Sequence, residues 1–164
     1  MGDIKDSDLT GLIKAKSSAP LGDAHELYAR AILMRLGFEV GKVDLSAGPF
    51  DLFLVVYTAP KGDKKLLRVQ IKTISSSLQL QAGSRGGIDR TYNSDVKVYK
   101  YDETHNDLIL GVDTHTLDIY IFPTRFAKKY GKSIGKGKIS ILKNNWDILK
   151  NWNPKYLSNL ENKL

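Results

Sequence analysis

Apolar residues in this chain fall into short runs separated by polar, glycine- and proline-bearing stretches. The first run, "GDAHELYARAILMRLGFEV" at 22–40, has helical spacing: Ala24, Leu27, Ala31 and Met34 fall near one face. Asp23 with Glu26 three residues later reads as a capping-box start, and Gly37 as a stop, so the pattern predicts a helix over 23–36. "FEVGKVD" predicts a first strand. "DLFLVVY" (51–57) and "LLRVQIKT" (66–73) predict two buried strands, joined through the polar loop "TAPKGDKK" as a hairpin. Residues 74–101 fit two strands around the loop "GSRGG". "DLILGVD" and "LDIYIFP" predict a second hairpin, ended by Pro123. Beyond it, "TRFAKKYG" reads as a short helix, "KISIL" as a short strand and "NNWDILKNW" as a helical turn. The tail after Pro154 reads as loose.

A helix followed by a strand meander predicts an α/β fold with a mixed central β-sheet flanked by helices. At 164 residues the expectation is one domain spanning 1–164, with a core over about 20–130, a lead-in at 1–20 and a basic C-terminal segment at 131–164.

Composition narrows the function classes. No run reaches the length of a membrane span, and the N-terminus, "MGDIKDSDLT", lacks the apolar stretch of a secretory signal. There is no cysteine, which excludes disulfides and thiolate metal sites. A cytoplasmic, intracellular protein is expected. The net charge of +7 points to an anionic partner, nucleic acid first. Lys128, Lys129 and Lys132 lead a lysine-rich stretch, and Arg85, Arg90 and Lys97 surround the glycine-rich loop. All six are candidate DNA contacts, weighed against an ordinary solvated face. His25, His105 and His115 lack metal-ligand spacing and are expected in surface or capping roles. Trp146 and Trp152 are expected to pack the C-terminal segment on the core.

Three polar residues interrupt the apolar strand pattern. Side chains on a strand alternate faces, so Gln70 and Lys72 share one face while Val69 and Ile71 share the other. Asp51 opens the preceding strand, and hairpin pairing would set it beside them. A buried charge needs partners. A divalent cation bound by the Asp51 carboxylate, the Gln70 side-chain oxygen and the Ile71 peptide oxygen would supply one. Mg²⁺ suits oxygen ligands and phosphate substrates, with Mn²⁺ as a substitute. Lys72 could orient a water or offset charge on the phosphate, and Glu26 could support the metal. Each residue also has a plain reading: Glu26 as a cap, Asp51 as a turn residue, Gln70 as a polar edge position, Lys72 as a snorkelling strand end.

The order Glu26 on a helix, then Asp51, then Gln70-Ile71-Lys72 resembles the PD-(D/E)xK nuclease superfamily in its QxK variant. Phe50 stands directly before Asp51, with Pro49 one step earlier, and Gln70 stands in place of the second acidic residue. The segment "YDETHNDLILGVDTHTLDIYIFP" is similar to the corresponding part of group-I-intron-encoded endonucleases of that superfamily. The resemblance covers about residues 22–126. It implies a restriction-endonuclease-like core and Mg²⁺-dependent DNA cleavage of the homing or restriction type, with Glu26, Asp51, Gln70 and Lys72 as site residues. A Holliday junction resolvase of the same fold and a catalytically inactive DNA-binding module are the alternatives. One site cuts one strand, so a homodimer on double-stranded or branched DNA is expected, with a tetramer built from two dimers as the variant.

Overall fold

The computed structural model describes residues 18–44, 48–58, 62–83 and 98–164, with 18–20 described by backbone alone. Helix α1 (Ser18–Arg35) leads into strands β1 (Glu39–Lys42), β2 (Leu52–Thr58) and β3 (Asp63–Ile74). The short strands β4 (Ser77–Gln79), β5 (Gln81–Gly83) and β6 (Val98–Lys100) follow, then β7 (Leu108–Asp113) and β8 (Ile119–Pro123). The main sheet has the order β1-β2-β3-β7-β8. Both expected hairpins are present as antiparallel pairs, β2 with β3 and β7 with β8, while β3 and β7 run parallel. The sheet is therefore mixed, as the helix-and-meander pattern predicts.

Burial follows position in the sheet. All six residues of β7 and all five of β8 are buried. Leu54, Val56, Leu67, Val69 and Leu110 are fully enclosed in the same core. A strand covered on both faces reads as a continuous apolar run, and "LILGVD" does so. Gly111 interrupts that run because side chains crowd it. An added Cβ would overlap Ile74 Cδ1 and lie 2.8 Å from Ile74 Cγ1 and 3.2 Å from Leu78 Cδ1. Ile74 and Leu78 are fully buried and have little room to yield. Gly111→Ala is expected to lower stability by about 1–3 kcal/mol, read as a lower urea midpoint at unchanged slope.

Helix α1 ends as its glycine predicts. Gly37 has φ +87°, Phe38 N donates to Leu33 O (3.1 Å) and Gly37 N donates to Met34 O (3.0 Å), a Schellman closure. Its start and its buried face differ from expectation. The helix begins at Ser18, so Asp23 lies inside it and forms no capping box with Glu26. Pro20 sits in the first turn, where its missing N–H costs nothing. The buried side chains are His25, Ala29 and Leu33, four residues apart, whereas Leu27 and Met34 are more than half exposed. Apolar residues lie all round this helix, and the small Ala29 sits on the side that packs against the sheet.

The rest of the chain packs on β8 through two 3₁₀ segments and on β2 through residues 147–150. A 3₁₀ turn at Thr124–Lys129 is the expected short helix in a tighter form. β9 (Ser133–Gly135) pairs with β4, and β5 pairs with β6. "KISIL" is a 3₁₀ segment (Lys136–Leu142), not a strand. Ile139 and Leu142, three apart, are buried while Ile141 is exposed, a spacing that a strand cannot bury. Helix α2 (Asp147–Lys150) is the expected helical turn. The tail is not loose: α3 (Pro154–Glu161) starts with Asn153 accepting from Tyr156 N at 2.9 Å and buries Leu157 and Leu160. Trp152 is buried and Trp146 packs against the core, as expected. No helix among the described residues is long and apolar enough to cross a membrane.

Candidate active site

The site is built where β2 begins beside the middle of β3. Asp51 N donates to Val69 O (2.8 Å), which fastens the entry of β2 to β3. The turn before it is held from below: wholly buried Asn106 donates through Nδ2 to Pro49 O (3.0 Å) and accepts from Thr124 Oγ1. So anchored, Asp51 presents its carboxylate to β3. Asp51 Oδ2 accepts from Gln70 Nε2 (2.6 Å) and from Ile71 N (2.6 Å). Gln70 is 7% exposed; its Nε2 also donates to Ile71 O (3.2 Å), while its buried Oε1 has no partner among the described residues.

Lys72 lies one alternation further along β3 and is half-buried. Burial lowers its pKa, against the pull of the Asp51 and Glu26 carboxylates, which favour the ammonium. The same environment acts in reverse on the acids. Burial raises the pKa of Asp51, opposed by the Ile71 N–H, Lys72 and Gln70. Burial also raises Glu26, reinforced by the Asp51 and Asp23 charges and opposed by Lys42 and Lys72. Two carboxylates and one ammonium thus sit within each other's field in a partly dry place. The two carboxylates, without Lys72, line a cleft of about 320 Å³ between α1 and the β2–β3 hairpin, together with Asp23, Leu27, Arg30, Lys42, Leu52 and Ile71.

The oxygens here suit a hard divalent cation. The Asp51 carboxylate, the Gln70 amide and the Ile71 peptide oxygen lie on one short stretch of hairpin, with Glu26 across the cleft; Gln70 turns Nε2 toward Asp51 and Ile71 O, so a cation there requires its amide to flip and present Oε1. Among the described residues no group of three or more His, Cys, Asp or Glu is clustered as a metal site, so neutral carbonyl oxygens would have to complete the set.

The other candidates are placed differently. Lys128 and Lys129 follow the far edge strand β8, away from the cleft lining. Lys128 Nζ pairs with Glu103 (3.0 Å) and Lys129 Nζ donates to Glu161 O (2.7 Å). Lys132 is exposed before β9. Arg85, Arg90, Lys97 and, past Gly83, the "GSRGG" loop lie outside the described residues. His25 is not a surface residue: it is 4% exposed, with Nδ1 2.9 Å from Thr73 Oγ1, and burial lowers its pKa. The small size of Ala29 brings α1 close enough to β3 for this contact. His105 stacks on Tyr99 and His115 is exposed.

Several residues of the site carry no motif. Arg30 lines the cleft, and its buried Nε has no partner among the described residues. Arg68 grips Asp107 through Nε (3.1 Å) and Nη2 (3.2 Å), and reaches the Thr104 and Glu103 carbonyls at 2.7 Å each. This clamps the loop before β7 to the strand bearing Gln70 and Lys72. The one sequence signal for such a role was the placement of Arg68 two residues before Gln70, on the same strand.

No protein-family model matches the sequence, and the search of curated proteins found no match. Among solved structures the chain is similar to a bacterial homing endonuclease, I-Ssp6803I, with a TM-score of 0.63 at 19% sequence identity. The match covers 81% of this chain and 93% of that one. The class this defines is a mixed α/β fold shared with that protein, five central strands with flanking helices.

Proposed function

We propose that the protein is a divalent-metal-dependent DNA endonuclease of the PD-(D/E)xK type in its QxK form, acting as a homing or restriction-like enzyme. The observation that carries this reading is the convergence of Asp51, Gln70 and the Ile71 peptide unit through two 2.6 Å hydrogen bonds, with Lys72 and Glu26 within their field. The similarity to a homing endonuclease and the excess of basic residues support it.

Asp51, the Gln70 oxygen and the Ile71 carbonyl would hold Mg²⁺ or Mn²⁺, with Glu26 in support. The ion would supply Lewis-acid polarisation of the phosphate and a lower pKa for the attacking water. The chain's own residues do the rest. Lys72 offsets charge that develops on the phosphate and directs the water. The Asn106-anchored turn and the Arg68 clamp fix the geometry of both. Leu27 and Leu52 give the cleft wall an apolar portion. One such site cuts one strand, so a homodimer is the assembly for a duplex cut.

The test is supercoiled plasmid with Mg²⁺ or Mn²⁺ beside an EDTA control. Metal-dependent nicking is expected. DNA binding that survives EDTA with no nicking would replace this reading with a non-catalytic DNA-binding module. Preferential cutting of a four-way junction over linear duplex would replace it with a junction resolvase.

The neutral amide predicts weak metal binding. Gln70→Glu exchanges two N–H donors for a second carboxylate against Asp51. Without metal it is expected to lower the melting temperature, since like charges are forced together in a buried place. With Mn²⁺ it is expected to bind about tenfold or more tightly, read by isothermal titration calorimetry. Equal Mn²⁺ affinity of the two proteins would remove Gln70 from the ligand set.

A further inference from the structure

Lys72 is held by more than its carboxylate neighbours. Its Nζ lies 5.1 Å from the centroid of the Tyr101 ring. That is within cation–π range, and such contacts strengthen when water is excluded. Tyr101 is 2% exposed, and its backbone N donates to Leu80 O at 2.9 Å. Two further rings brace it edge-on: Tyr99 at 5.7 Å and 81°, and His105 at 6.4 Å and 81°. Tyr99 and His105 stack on each other at 4.6 Å. The loop that carries His105 is the one clamped by Arg68 through Thr104 O, Glu103 O and Asp107. The strand that bears the lysine therefore also anchors the aromatic surface on which the lysine rests. The Tyr101 hydroxyl has its pKa pushed up, by burial first and then by Tyr99 and Asp51, so the ring stays a neutral phenol.

We propose that Tyr101 is a positioning residue for Lys72: its ring face, braced by Tyr99 and His105, holds the ammonium beside Asp51 through a cation–π contact. The inference rests on the nuclease reading for its consequence in catalysis, but the contact itself can be measured without catalysis. An ordinary core tyrosine would fill the same volume, but the placement of Lys72 would not depend on the electronic character of its ring.

The first readout is NMR of the full chain without DNA. Protons on the Lys72 ε-carbon, assigned by their disappearance in Lys72→Met, are expected upfield of ordinary lysine values because they lie over a ring. Tyr101→Phe should keep that shift and Tyr101→Leu should abolish it. The second readout is single-turnover nicking. Tyr101→Phe should cut at close to the wild-type rate. Tyr101→Leu should cut roughly tenfold more slowly at unchanged DNA affinity. A trifluorinated phenylalanine at 101, which keeps the ring's shape and drains its face of charge, should fall with Leu rather than with Phe. An upfield shift that survives Tyr101→Leu, or a fluorinated ring that cuts at the full rate, overturns the proposal. A wild type that never nicks, with the Lys72 shift intact, would sink the nuclease reading and leave the platform standing.

Discussion

Asp51→Asn removes metal-dependent nicking, with an expected loss of roughly 10³-fold or more, and leaves the protein folded. The loss follows from chemistry: the carboxylate is the single full charge among the oxygens proposed to hold the cation, and the interactions it supports are worth ~4 kcal/mol or more in the transition state. The preserved fold follows from geometry. Asp51 Oδ2 accepts from Gln70 Nε2 and Ile71 N, and an amide oxygen can accept both. Alanine is the poorer test, because it would strand two buried donors at about 1–3 kcal/mol each. Linkage adds a second readout. The folded-state pKa of Asp51 is raised, chiefly by burial. A raised pKa means the group's contribution to stability is complete below its unfolded pKa and is lost as pH rises through the folded one. At neutral pH the wild type therefore carries the penalty of an ionised buried carboxylate, and Asn does not. The melting temperature of Asp51→Asn should equal or exceed that of the wild type at pH 7, and the gap should close as pH falls below the ordinary carboxylate range. A variant that nicks at more than a tenth of the wild-type rate would remove Asp51 from the centre of the chemistry. Because burial raises Asp51 and Glu26 together, nicking by the wild type should fail on the acid side at a higher pH than unperturbed carboxylates would give.

Which parts of this were legible in the sequence depended on whether one local pattern had one reading. The strands β2, β7 and β8 are continuous apolar runs between turn signals, and only burial in a sheet satisfies them. The alternation in "VQIKT" set Gln70 and Lys72 on one face, and the hairpin brought Asp51 to them. Helix α1 was ambiguous, since Leu27 and Met34 offered as good a stripe as His25, Ala29 and Leu33. Only the sheet decides between those faces, because Ala24 and Ala31 on the exposed face are as small as the buried Ala29. "KISIL" misleads in the same way, for Ile139 and Ile141 suggest alternation while Ile139 and Leu142 are the pair that packs. The final helix did leave a signal in Asn153-Pro154, a cap followed by a first-turn proline, but only two buried leucines follow it. The supports of the site were the least visible. Asn106 meets Pro49 across 57 positions and Arg68 meets Asp107 across 39, and no local period encodes such contacts.

Lys72→Met is the second large loss, expected at about 10²–10³-fold in nicking with DNA affinity nearly unchanged. The two effects separate because Lys72 is half-buried at the proposed reacting centre, whereas affinity for duplex DNA would be a sum over many exposed phosphate contacts. Methionine keeps the stem and removes the charge, so a drop in rate reports the ammonium and not a cavity. The sign of the stability change follows from the same burial. The Lys72 pKa is lowered in the folded protein, foremost by desolvation. The unfolded chain thus holds the proton more firmly, and the wild type is penalised for its charge at pH 7. Removing the ammonium lifts that penalty but leaves Asp51 and Glu26 facing each other without their shared counter-charge, which pushes both carboxylates further up. These two changes oppose each other, so the melting temperature should move little while the rate falls by orders of magnitude. Arginine at 72 should fail as well: its planar head can stack on the Tyr101 ring, but it cannot then aim a compact point charge at the phosphate beside Asp51. A Lys72→Met protein that nicks normally, or one that loses rate only in proportion to lost DNA binding, would make Lys72 a phosphate contact and take the ammonium out of the transition state.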